Sequence, residues 1–231
     1  MRHWRRLRKT WQHSLIGGRA LGLFAFALLS GAATQAADPP LTSALAVRSL
    51  SSDRADFGLS VDLTGIVIFV DPGVTVFLQD DTAGTFFRAV GSPAPSLGSR
   101  VRVRGTTFPG LYLPGIEEAT FEILETGPLP MPRDATYEDL MSGRFHYQRV
   151  AVEGVIRRVV PEDENLAILR LALGTRFLDI EVDQAGLSAE TWVDRRVRAV
   201  GLAAGRINDQ RQLVEPYLRC LLWSDIEVLQ E

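Results

Sequence analysis

The sequence predicts an all-β chain of two tandem five-stranded barrels, each led in by a short helical stretch. Three observations predict it. Short runs of apolar residues alternate with polar ones at the strand period. Clusters of Gly, Pro and Asp interrupt those runs as turns do. The chain also repeats itself. "VDLTGIVIFV" (61–70) resembles "VAVEGVIRRV" (150–159), which aligns Gly65 with Gly154, 89 residues apart. "RVRVRGT" (100–106) resembles "RVRAVGL" (196–202), which aligns Gly105 with Gly201, 96 apart. With 231 residues and 46% hydrophobic content, there is material for two small cores.

Residues 1–36 read as a secretory signal peptide. "MRHWRRLRK" is basic, "ALGLFAFALLSGAA" is apolar, and Thr34 and Ala36 stand at the small-residue positions before a cut. The apolar run after Arg19 is shorter than the ~20 residues a membrane span needs, so no span is expected once the leader is removed. An uncleaved anchor is the alternative. The first domain is then 37–127 and the second 128–231, with "TGPLPMPRD" (126–134) as the Pro- and Gly-rich linker.

In the first copy, strands are predicted at 61–70, 75–80, 84–90, 100–107 and 116–124. "DPG" and "DDTAG" make the first two turns. In the second, strands are predicted at 150–160, 166–173, 175–182, 196–203 and 216–223. The lead-in "LTSALAVRSLSSDRADFG" of the first copy is matched by "ATYEDLMSGRFHYQ", where Thr136 and Asp139 can cap a helix. "LSAETWVDRR" reads as a helix between strands three and four, with Ser188 as cap and Glu190 in the first turn. Five strands with a helix or loop between the third and fourth is the order of an OB-fold barrel. Closure removes exposed strand edges. A β-sandwich is the alternative.

Six of the 25 basic residues, and no acid, lie in 1–36. The remainder has 19 cations against 28 acids, a net of −9. Such a surface repels phosphate backbones, so nucleic acid is not expected as a partner. Cys220 is the sole cysteine, which excludes an intramolecular disulfide and a thiolate cluster. In "LRCLLW" it reads as a small buried apolar residue.

Asp80 and Asp81 of "DDTAG" begin a hairpin corner, for which Gly84 supplies a positive φ. A Ca²⁺ loop would need 6–8 oxygens, so no metal or cofactor is expected. If Thr85 and Phe87 face inward, Phe86 and Arg88 face out and share that face with Phe77 and Gln79. Aromatics on this face of an OB barrel stack on bases or sugars. The candidate ligand-binding residues are therefore Phe77, Phe86 and Arg88, with Phe108 and Tyr112 from the last loop. The matching face of the second copy carries Arg170 and Phe177, beside Asp179 and Glu181. Packing of the first face against the second copy is the bland alternative. Arg100, Arg102 and Arg104 alternate with Val101 and Val103 and read as a solvated, ion-paired stripe, with an anion or phosphate contact as the alternative. No catalytic residue is expected, since His146 is the one histidine after the leader and has no partner motif.

Taken together, "LTSALAVRSLSS", "VDLTGIVIFVDPG", "VFLQDDTAGTFF", "VRVRGTTFPG" and "WSDIEVLQ" resemble tandem OB-like modules in the exported parts of bacterial proteins, which often precede the membrane and kinase parts of sensor histidine kinases. The resemblance implies a periplasmic or secreted module and a sensor kinase as partner. No phosphoacceptor or ATP-binding motif is present here, so any kinase link runs through a partner or a further segment. The expected function is an exported, non-enzymatic binding or sensory module for a small molecule, glycan, peptide or envelope protein. The alternative is single-stranded nucleic-acid binding through Phe77 and Phe86.

Overall fold

Two serines open the first repeat. The Ser43 hydroxyl accepts from the Ala46 N–H to start α1 (Ala44–Arg48), and the Ser51 hydroxyl accepts from the Arg54 N–H to start α2 (Ser52–Ala55). Helices this short do not persist alone; α1 is held because Val47 is buried in the core of the barrel that follows. The computed structural model describes residues 38–71, 75–89, 93–161, 166–183 and 189–229. The predicted leader, Pro72 and Gly73, the turn 162–165 and the Ser188 cap lie outside them. The unit Ala37–Glu231 holds both barrels.

The first barrel comprises β1 (Ser60–Val70), β2 (Thr75–Gln79), β3 (Gly84–Arg88), β4 (Ser99–Phe108) and β5 (Gly115–Thr126), closed in the order β1-β2-β3-β5-β4. The strand alternation sorts the faces as the sequence implies. Val61, Leu63, Val76, Leu78, Phe87, Val101, Val103 and Ile116 fill the core, each fully buried aliphatic or aromatic side chain contributing about 1.5–3 kcal/mol. β3 meets β5 in parallel at Phe87 and Ile116, the contact that closes the sheet.

The second barrel follows β6 (Arg133–Asp134) and α3 (Tyr137–Met141). Its strands are β7 (Arg149–Pro161), β8 (Ala167–Leu173), β9 (Arg176–Val182), β10 (Arg196–Ile207) and β11 (Leu213–Cys220). A β7–β10 pairing closes it, and α4 (Ala189–Trp192) stands before β10. The short edge strand β12 (Ile226–Val228) adds to β10. The predicted capping box is present: Thr136 Oγ1 accepts from the Asp139 N–H, and Asp139 Oδ2 accepts from the Thr136 N–H. The last barrel strand starts at Leu213, where 216–223 is predicted. Asn208 Oδ1 accepts from the N–H groups of Gln210 and Gln212, so the β10–β11 turn ends early and the strand begins sooner.

The repeat is visible in the register. Val61 pairs with Gly105 and Gly65 with Val101; Val150 pairs with Gly201 and Gly154 with Val197. Gly65 lies where β1 passes from β4 to β2, and Gly154 where β7 passes from β10 to β8. A Cβ at Gly65 would press into Leu78, and one at Gly154 into the Ala172 carbonyl. The coiling of the first strand of each barrel requires that absence. The predicted linker is a strap rather than a free tether. The Gly127 N–H donates to Gly98 O, and Arg133–Asp134 pairs with β7. Leu129 packs with Ile68, Phe69, Leu202, Phe77, Tyr147 and Leu221 in an apolar cluster between the barrels.

Candidate functional site

The turn "DDTAG" is a structural corner. Asp80 Oδ1 accepts from the Thr82 N–H (2.8 Å), the Thr82 hydroxyl (2.6 Å) and the Ala83 N–H (2.9 Å). Its Oδ2 accepts from the Ala44 N–H at 2.7 Å, which ties the β2–β3 hairpin to the start of α1. Gly84 differs from its expected role. It lacks the left-handed conformation, and what excludes a side chain is the Tyr147 carbonyl of the second barrel, which a Cβ would overlap. Among the described residues no group of three or more His, Cys, Asp or Glu side chains could hold a metal ion.

On the outer face of the same hairpin, Phe77 and Phe86 are directly paired across β2 and β3. Their rings are 5.8 Å apart, and Phe108 of β4 meets Phe86 edge-on at 5.5 Å. The Arg88 guanidinium lies 5.1 Å over the Phe108 ring, a cation–π contact. These four predicted residues line one groove of about 480 Å³, a volume typical of small-ligand sites. Pro109, Gly110 and Leu111 of the β4–β5 loop form its rim, with Leu111 81% exposed. The far wall is Tyr147, whose ring is 5.1 Å from Phe77 and 5.2 Å from Phe86. Burial pushes the Tyr147 hydroxyl up to about 12. Arg88 and Tyr147 are the ionisable members of the described lining, so the groove offers no group poised for proton transfer near neutrality.

The packing reading of this face is realised in part. Phe77 packs into the inter-barrel cluster while still lining the groove. Gln79, expected on the outer face, is buried, and its Oε1 accepts from the Arg149 N–H of the second barrel at 2.8 Å. Tyr112 is a correction. The β4–β5 loop turns it away from the groove, its ring meets His146 edge-on at 4.8 Å, and its hydroxyl lies against Gly143. Arg170 and Phe177 sit on the corresponding face of the second barrel, the guanidinium 5.3 Å over a ring that is 49% exposed. Arg170 also lies 3.7 Å from Asp179. They line no part of the first barrel's groove.

The arginine stripe is ion-paired. Arg102 bonds Asp62 through two nitrogens at 2.7 Å, Arg104 reaches the same carboxylate at 3.2 Å, and Arg100 meets Glu125 at 3.1 Å. The Arg102 hydrogen bonds, with help from Arg104, hold the Asp62 carboxyl down at about 2. His146 is buried, and burial together with the Arg48 charge lowers it to about 3, so the imidazole is neutral. Cys220 is buried with Sγ 3.3 Å from Val200 O, and burial pushes the thiol well up.

The sequence reading missed Tyr147 and Leu111. Leu111 stands within the loop already singled out. Tyr147 carries no local signal, because its place in the groove depends on how the second barrel docks.

No family model matches the chain, and no curated protein matches it. Solved structures do resemble it. One is of a murine DNA binding protein bound with ds DNA, at 10% identity and a TM-score of 0.37, over 74% of this chain and 99% of that one. Another is the Ifi202 HINa domain in complex with 20bp dsDNA, at 7% identity and a TM-score of 0.34, over 69% and 93%.

Two expectations are corrected here. Net charge does not set nucleic acid aside as a partner, and a small molecule, glycan, peptide or envelope protein is not retained as the ligand. Net charge averages over the whole surface, whereas the groove is lined by three phenylalanines, a tyrosine and one arginine, with no carboxylate. Stacking on aromatic faces does not depend on that average.

Proposed function

We propose that the chain is a non-enzymatic nucleic-acid-binding protein that takes unpaired bases of a single strand into the groove of its first barrel. The observation that carries this is the cluster of Phe77, Phe86 and Phe108 beside Arg88, on strands β2, β3 and β4 and next to the β4–β5 loop. This is where OB barrels hold oligonucleotides. The rings supply stacking faces, worth about 1–3 kcal/mol per base. Arg88, with its guanidinium 5.1 Å over the Phe108 ring, is placed to meet a phosphate with its N–H donors. The descriptions of the similar solved structures also name a nucleic acid, double-stranded DNA in both.

The test is fluorescence anisotropy of a labelled single-stranded 12-mer at low salt. Phe108→Ala is expected to weaken binding about 5- to 150-fold, the range set by one stacked base. Most described arginines are engaged with carboxylates, so the salt slope should be shallow, about −0.7 for the single phosphate contact of Arg88. Absence of binding by the wild-type protein at low salt overturns the proposal.

A further inference from the structure

We infer that the groove is a composite site, assembled only when the two barrels dock, and that Tyr147 of the second barrel is a ligand-contacting, specificity-determining residue. The inference rests on the reading of the groove as a base-binding site. The Tyr147 ring closes the end of the groove that Phe77 and Phe86 leave open, at 5.1 and 5.2 Å.

The segment that carries Tyr147 is gripped from the first barrel on both sides. Upstream, Arg48 of α1 donates to the carbonyls of Gly143 (2.8 Å) and His146 (3.0 Å). Downstream, Gln79 of β2 accepts from the Arg149 N–H. Between these clamps Tyr147 adopts φ +65, a conformation uncommon for a bulky residue. Its carbonyl sits where only a glycine at position 84 admits it, and its N–H donates to Ala203 O at 2.8 Å. The second barrel holds the opposite rim as well: Arg211, in the β10–β11 turn, donates to Pro109 O at 2.8 Å. Both ends of the groove therefore depend on the second barrel. A ligand base that reaches Phe77 also meets the Tyr147 ring.

Three variants test this with the same labelled 12-mer, thermal melting confirming that each folds. Tyr147→Phe keeps the ring and is expected to bind within about threefold of wild type. Tyr147→Leu keeps bulk without the ring and should bind about tenfold more weakly, as for loss of one stacking face. Gly84→Ala changes no groove side chain chemically but pushes the Tyr147 carbonyl, and the ring with it, away, and should weaken binding by a similar factor. If one variant fails to fold, the others decide. Wild-type affinity in Tyr147→Leu or in Gly84→Ala, while Phe108→Ala is weakened, overturns the composite site and leaves the base-binding reading standing. If the wild-type protein itself does not bind, it is the base-binding reading that falls.

Discussion

His146 should make this protein lose stability on mild acidification, and replacing it by leucine should remove that loss. The side chain is 3% exposed, between the rings of Tyr112 and Tyr147, with Gly205 against its Cε1 side. Burial, aided by the Arg48 guanidinium, lowers it from 6.5 to about 3. Between those values the unfolded chain holds a proton that the folded chain does not. Stability therefore falls as pH falls, by up to about 1.4 kcal/mol per pH unit. From pH 6.5 to 4.5 that integrates to about 2.3 kcal/mol, or roughly 5–9 °C in Tm for a unit of this size. Asp62 and Asp139 are held low and act only below the ordinary carboxylate value of 3.8. Glu181 is raised by burial, and a raised carboxyl favours the fold as pH falls, so it acts in the opposite sense. Urea unfolding of wild type and His146→Leu at pH 6.5, 5.5 and 4.5 separates these effects, because the difference in slope does not depend on baseline stability. The variant's stability should be nearly flat across that range. Parallel pH profiles for the two proteins would refute the assignment of a buried, neutral imidazole.

Two further outcomes are expected. Asp80→Ala strips four hydrogen bonds from the β2–β3 corner and frees the start of α1; with partial solvent replacement the cost is about 3 kcal/mol, read as a drop in the urea midpoint with an unchanged m-value. Thr136→Ala removes the capping box of α3 and should cost about 1 kcal/mol, roughly 2–4 °C in Tm by calorimetry. A cost near zero there would mean that α3 is held by Leu140 alone.

The sequence was most informative where the deciding physics is local. Alternation of Val61 and Leu63 with Asp62 and Thr64 places one set inside and the other outside whatever the rest of the chain does, and Thr136 with Asp139 needs only one helical turn between them. The repeat was legible for a related reason. Gly65, Gly105, Gly154 and Gly201 sit where the neighbouring strand, by a side chain at Gly65 and by its backbone at the other three, comes too close for a Cβ, so the same residue recurs at the same point of each barrel. The outward direction of Phe77, Phe86 and Arg88 follows from the same two-residue period. The role of Gly84 was misread because its constraint comes from Tyr147, 63 residues further along. Tyr112 was misplaced because a loop, unlike a strand, has no period from which side-chain direction can be read.

Barrel count, strand faces and helix caps are thus properties of short stretches, governed by neighbours within a turn or a strand pair. The pairing of Arg219 with Asp71, 148 positions apart, the burial of Gln79 and the entry of Tyr147 into the first barrel's groove are of another kind. They depend on the relative rotation of two finished barrels, which the shape and polarity of whole surfaces select and no local pattern encodes.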